Sequence, residues 1–210
     1  MSDPGNQYQN LIKTAKACLV KQGALPESLK DLADMAGLGV DQVQTSFATV
    51  EDLREGLIYD SVVLLNDALR QGIIESDPKS PDAQLRALAY SYGDWAEKNP
   101  AQFALLTEGL IGNIVPDSTL HRFTLSIRDL YKRKLQEMID VGILAEGTDI
   151  DGIILMMHCL IRGGNSIFIG RVNDLWVAGD ERTNGQLAQD VFNQFMDAMI
   201  ALYGRKPASD

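Results

Sequence analysis

The sequence predicts an all-α protein, and three observations carry that prediction. Apolar residues recur at i, i+3 and i+4 along most of the chain, the spacing of a helix with one buried face. Residues suited to begin and end helices punctuate that pattern: Ser28, Thr49, Ser80 and Thr148 precede apolar stripes, and Gly23, Gly37 and Gly72 interrupt them. No segment shows the period-two alternation of a strand, and no long repeat occurs.

The first helix carries Tyr8, Leu11, Ile12, Ala15, Leu19 and Gln22 on one stripe and stops at Gly23, after a polar tail that includes Pro4 and Gly5. The next stretch, Ser28 to Asp52, organises the rest. Ser28 with Asp31 three residues on reads as an N-cap and capping box, because a hydroxyl and a carboxylate can each satisfy an orphan backbone N–H. Leu29, Leu32, Ala33 and Ala36 follow at helical spacing. Gly37-Leu38-Gly39 is a turn, and Val40 to Phe47 can form about two turns of helix with Val43 and Phe47 on one face. Thr49 and Asp52 open the following helix. Two short helices joined by a tight turn have the geometry of a helix-turn-helix, whose second helix can enter a DNA major groove.

The long helix from Val50 carries Leu53, Leu57, Ile58, Leu64, Leu65 and Leu69, and is expected to end near Gln71, with Gly72 and the run Ser76-Asp77-Pro78-Lys79-Ser80-Pro81 breaking the pattern. Ser80 and Pro81 begin a helix that reaches Lys98, and Asn99-Pro100 stops it and starts another. Beyond Gly112 and Pro116, a helix from Ser118 to Asp140 has the stripe Leu120, Phe123, Ile127, Leu130, Tyr131 and Met138. Its other face holds Arg122, Arg128, Lys132, Arg133 and Lys134, read as a solvated face that pairs with acidic neighbours. Thr148 should cap the helix IDGIILMMHCLIRGG, which is apolar around most of its axis and so expected to be buried on both sides. Gly163-Gly164 would end that helix or admit a close backbone, with Ser166 to Val172 continuing after a kink. Trp176 to Gly185 is a polar connection. The last helix carries Leu187, Val191, Phe192, Phe195, Met199 and Leu202, and the tail is expected to fray after Gly204.

Composition narrows the function classes. The chain has 210 residues, 45% of them apolar, and a net charge of −10, which disfavours nonspecific binding to nucleic acid or anionic membranes. Cys18 and Cys159 lie far apart without ligand spacing and read as reduced thiols. With no basic-then-apolar opening and no apolar run near 18 residues, a soluble cytoplasmic protein with no membrane partner is expected. The only histidines are His121 and His158; His158 adjoins Cys159, which points it to a different face, so it reads as a hydrogen-bonded core or pocket residue and no metal site is expected. No phosphate loop, Ser elbow or His-Cys-carboxylate cluster is present, so neither an enzyme nor a cofactor is expected.

From Tyr8 to about Leu57 the chain resembles the N-terminal domain of the tetracycline-repressor (TetR) family of transcription regulators. The residues that carry the likeness are Ala15, Ala17, Gly23, Ser28, Asp31, Leu32, Ala33, Ala36, Gly37, Val43, Phe47, Thr49, Glu51 and Leu53. A second stretch, Gly93, Trp95, Ala96, Asn99, Pro100, Phe103, Leu105 and Leu106, is similar to a pattern of the family's C-terminal domains. The resemblance implies a three-helix helix-turn-helix domain over residues 1–50 and a ligand-binding and dimerisation bundle over residues 51–210, about nine helices together. It implies a homodimeric regulator, a repressor by expectation, that reads operator DNA and answers to a small apolar effector. Gln42, Gln44, Thr45 and Ser46 would face the DNA, with Lys30 on phosphate. Trp95, Phe103, Leu106, Met138, Met157 and His158 are the candidates to line an effector pocket, or else ordinary core. Leu187, Val191, Phe195, Met199 and Leu202 would form the two-fold interface, though the same stripe suits packing within one chain.

The DNA-facing positions depart from the family pattern. Gly39-Val40-Asp41 stands where a hydroxyl or basic residue usually opens the recognition helix, Gln44, Thr45 and Ser46 replace the usual aromatic and His, and Val50 replaces a Lys. Residues 1–60 carry five Lys and Arg against nine Asp and Glu, a net −4. The alternative is therefore a TetR-like scaffold that has lost DNA binding and serves as a ligand- or protein-binding module.

Overall fold

The computed structural model describes residues 4–111, 114–170 and 175–205. Among them are nine helices: α1 Pro4–Gln22, α2 Leu29–Ala36, α3 Val40–Gln44, α4 Val50–Glu75, α5 Pro81–Lys98, α6 Pro100–Ile111, α7 Thr119–Asp140, α8 Ile150–Gly170 and α9 Asn184–Tyr203. The all-α expectation holds. The helices form two compact units, one of residues 1–64 and 99–121, the other of residues 65–98 and 122–210. By compactness the division therefore cuts through α4 and gives α6 to the N-terminal unit, whereas the sequence suggested a single cut at residue 50.

In the first unit α1 begins at Pro4, earlier than the polar tail suggested, since proline is suited to the first helical turn. Gly23, at φ 71°, ends it by donating to the Leu19 carbonyl at 2.9 Å. Ser28 caps α2, its Oγ accepting from the Asp31 N–H at 3.1 Å. The expected reciprocal bond is replaced: the Ser28 hydroxyl donates instead to the Asp31 carboxylate at 2.6 Å. Gly37 takes the left-handed conformation that closes α2, with Leu38 N–H on the Ala33 carbonyl and Gly37 N–H on that of Asp34. Thr49 and Asp52 form the full reciprocal box at the start of α4. Leu11, Ala15, Leu32, Val43, Leu53 and Leu57 make a core with at most 1% exposure.

In the second unit α4 continues through Gly72 to Glu75. Gly72 is a point of close approach and not a break: a β-carbon there would run into Ser91 of α5. Helices α5 and α9 are the main packed pair of this unit. Arg86 donates to the Asn193 carbonyl and Oδ1 at 3.3 and 3.1 Å and to Asp197 at 2.6 Å, while Glu97 accepts from the Gly185 N–H at 2.6 Å. The basic face of α7 is neutralised locally by Lys132–Asp151, Arg128–Asp129 and Lys134–Glu137 pairs. Asp149, not Thr148, caps α8, accepting from the Gly152 N–H at 3.0 Å, and α8 runs unbroken past Gly163 and Gly164. The end of α9 is pinned: Ala145 N–H donates to the Tyr203 carbonyl at 2.8 Å and Arg205 N–H to that of Ile143 at 3.4 Å. Arg205, the first residue of the tail expected to fray, is thus held by a backbone bond, and residues 206–210 lie outside the described residues.

Candidate nucleic-acid interface and effector bundle

The recognition helix is short. Only Val40–Gln44 is helical, with Thr45 as its cap, so it spans five residues of the eight that the sequence allowed. A helix this short cannot persist on its own propensity. It is held from below: Val43 and Phe47 are buried, and the Phe47 ring lies 5.1 Å from that of Tyr8 on α1. Partial burial, with Asp60 and Tyr59 nearby, pushes the Tyr8 hydroxyl above its ordinary pKa. It is also held from the side, because Gln7 donates to the Gln42 carbonyl at 2.6 Å and to Thr45 Oγ1 at 3.3 Å.

The predicted reading residues lie together on the uncovered edge of this helix. Gln42, Gln44 and Thr45 are exposed and Ser46 is half-buried. Their hydrogen-bonding capacity differs. Gln42 Oε1 accepts from the Gly39 N–H at 2.9 Å, and the Thr45 hydroxyl donates to the Gln42 carbonyl at 2.6 Å, so both serve the helix itself. Gln44 has no hydrogen-bond partner among the described residues and offers an amide suited to bidentate readout of adenine. Lys30 is exposed and without an ion pair among the described residues. Lys16, by contrast, is paired with Asp60 at 3.3 Å, which cancels the charge a phosphate would seek. Asp41 and Glu27 are both exposed. Arg54 and Glu108 join α4 to α6 at 3.4 Å within the same unit.

The six candidate pocket residues do not form one set. Trp95, Met138 and Met157 are buried in the second unit, whereas Phe103 and Leu106 are buried in the first, on α6. His158 is exposed on α8 and carries neither a core nor a buried pocket environment. Three residues that sequence reasoning left out of the pocket lie in the second unit's interior. Tyr92 of α5 donates to Asn165 Oδ1 of α8 at 3.0 Å, and Tyr131 of α7 lies within electrostatic reach of Tyr92. Burial pushes the Tyr92 hydroxyl up to about 12 and raises that of Tyr131 further. The available signal was Asn165 itself, an amide on the otherwise apolar stripe of its helix. No group of three or more potential metal ligands gathers among the described residues.

Helix α8 corrects another expectation. Only Ile153, Met157 and Asn165 are buried, and its outward face leaves Leu155 64%, Met156 41% and Ile169 54% exposed. The helix is also long and apolar enough to cross a membrane by length and composition, which the sequence reading did not anticipate. Its outward face is not uniformly apolar, since His158, Arg162 and Ser166 lie on it. The predicted dimer stripe on α9 divides: Leu187 and Met199 are buried within the chain, Phe195 is half-buried, and Val191 and Leu202 are exposed.

Solved structures share this arrangement across nearly its whole length. A transcriptional regulator of the TetR/AcrR family from Thermobifida fusca aligns at TM-score 0.66 over 95% of this chain and 100% of its own, at 17% identity. This chain has a TetR-like fold. A protein of unknown function from Rhodococcus sp. RHA1 is similar at TM-score 0.72, with 22% identity over 91% of this chain and 94% of the other. The ketosteroid transcriptional regulator KstR2 of Mycobacterium tuberculosis aligns at TM-score 0.63 and 16% identity, covering 95% and 96%. No family model and no curated protein matches the sequence. At these identities the likeness to TetR-fold structures is one of fold.

Proposed function

We propose that this chain is a dimeric, TetR-like DNA-binding transcription regulator controlled by a small apolar effector, and not an enzyme. The observation that carries this reading is the uncovered polar edge of the recognition helix, where Gln42, Gln44 and Thr45 are exposed above a buried Val43 and Phe47. In a homodimer two such helices would sit about 34 Å apart, one per turn of duplex, and read a palindromic operator. The outward apolar face of α8, together with Val191 and Leu202 of α9, supplies surface for the two-fold contact. Burial in such a contact, more than insertion in lipid, accounts for an apolar face that also carries His158 and Arg162. The effector would occupy the second unit's interior near Trp95, Met138 and Met157, and would favour a spacing of the reading heads that weakens operator binding; that coupling must be reciprocal.

The test is binding of the purified protein to duplex from its own promoter region across a salt series. A regulator loses affinity linearly in log salt, with a slope of about −0.9 per phosphate contact. One observation favours a second reading, a scaffold without DNA binding: Lys16 is paired with Asp60, and Asp41 stands exposed on the recognition helix itself. Absence of binding at low salt would select that reading.

A further inference from the structure

The recognition helix ends without the backbone bond that would finish it. In a longer helix the Gln42 carbonyl would accept from the Ser46 N–H. That N–H turns back instead to the Val43 carbonyl at 2.9 Å, where the Phe47 N–H joins it at 3.0 Å. The carbonyls of a last helical turn need partners from elsewhere. Gln42 finds two, and both are side chains. Thr45 Oγ1 donates to its carbonyl at 2.6 Å. Gln7 Nε2, reaching across from α1, donates to the same carbonyl at 2.6 Å and to Thr45 Oγ1 at 3.3 Å. The three groups close one small ring, and Gln7 is its only member from another helix. The next residue of α1, Tyr8, holds the Phe47 ring at 5.1 Å. One turn of α1 therefore grips the recognition helix both at its carbonyl end and from below.

The ring also sorts the exposed polar residues. The Thr45 hydroxyl spends its hydrogen on Gln42 and accepts from Gln7, and the Gln42 amide oxygen accepts from the Gly39 N–H at 2.9 Å. Gln44 stands between them in sequence, exposed, with its amide uncommitted among the described residues. A bidentate amide contact to a base edge needs both of its atoms in place, and a helix of five residues has little rigidity of its own. We infer that Gln7 is a positioning residue for base readout: it fixes the end of the recognition helix from α1 so that Gln44 meets a base edge, and it does not itself touch the duplex. This rests on the reading of the chain as a DNA-binding regulator, and names a determinant of its specificity outside the two helices of the motif.

Gln7→Met tests it on the full-length protein. Methionine is close to glutamine in length and helix propensity and is likewise uncharged, so it removes the donor without altering α1 or the attraction to phosphate. The first measurement needs no DNA: hydrogen exchange at the Ser46 and Phe47 amides should quicken about tenfold in the variant, through local opening of the helix end. The second is competition between duplex from the protein's own promoter region and scrambled duplex. The ratio of the two affinities should fall about tenfold in Gln7→Met, with affinity for the scrambled duplex unchanged. A bond that only stabilises the fold would leave this ratio where it was, because binding is measured on folded protein. Thr45→Val removes the other donor, and the double variant should lose little more than either single one, since both act through one carbonyl. Additive losses would mean that Gln7 touches the duplex itself. That result, unchanged exchange or an unchanged ratio each overturns the positioning role while leaving the regulator standing. Failure of the unsubstituted protein to retain either duplex at low salt overturns the regulator reading, and with it the role of Gln7 in recognition.

Discussion

A β-carbon placed on Gly56 would lie 3.1 Å from Cε1 of Phe47, so α4 passes the foot of the recognition helix with no room for a side chain. The same position would meet Tyr8 Oη at 2.9 Å and Ile12 Cδ1 at 3.1 Å. Alanine gains about 1 kcal/mol of helix propensity over glycine, but overpacking costs about 1–3 kcal/mol. Gly56→Ala should therefore lose about 1 kcal/mol of stability and Gly56→Val about 3 kcal/mol, since valine adds bulk without alanine's propensity. Urea denaturation checks both. Phe47→Ala should cost about 3–5 kcal/mol by removing the support itself.

Gln44 and Lys30 should fail differently. Gln44→Ala should weaken operator binding by about 1–3 kcal/mol in a sequence-dependent way, with the largest loss on the best sequence. Lys30→Ala should weaken all duplexes alike and lower the salt slope by about 1. Competition binding on operator and scrambled duplex at several salt concentrations separates them.

The buried tyrosines make stability fall in alkali. Burial raises Tyr92 from 10.0 to about 12 and Tyr131 higher still. The neutral form is thus favoured in the folded state, so this contribution is whole below pH 10 and is lost as pH rises through the folded values. Thermal melts should be flat in this respect to about pH 9 and then decline. A Tyr92→Phe, Tyr131→Phe double variant should decline less steeply.

Arg86 ties α5 to α9 through Asn193 and Asp197. It is partly solvated, so the charge contributes little, and the bonds to the Asn193 carbonyl and amide matter more. Arg86→Ala should cost about 1–2 kcal/mol in chemical denaturation.

The outward face of α8 should govern assembly. Leu155→Arg, at an exposed apolar position, should shift the protein toward monomer in sedimentation without lowering its helix content. A monomer would also bind a palindromic operator much more weakly, because each half-site would be engaged alone.

The sequence shows most where contacts are local. The box at Thr49, the αL turn at Gly37 and the Val43–Phe47 face depend on neighbours within about five residues, and all stand as the spacing implies. Features set by distant packing are illegible. Gly72 looks like a helix breaker until Ser91 is seen against it. Helix α8 reads as buried all round because hydropathy does not distinguish a core face from an exposed apolar one. His158 belongs to that outward face for the same reason. Asn165 and Tyr131 are separated by 34 positions, and only folding brings them to Tyr92.

The main-chain seam between residues 143–145 and 203–205 tells the identities of its side chains apart by what they can touch. Ala145 and Arg205 donate N–H groups that any residue except proline could supply, and Tyr203 accepts through a carbonyl that every residue has, so drift there is neutral with respect to the seam. Gly204 has no such freedom, because a β-carbon would strike the Ile200 carbonyl. Among descendants of this chain, a lone invariant glycine amid variable flanks is the expected evolutionary trace of that closure.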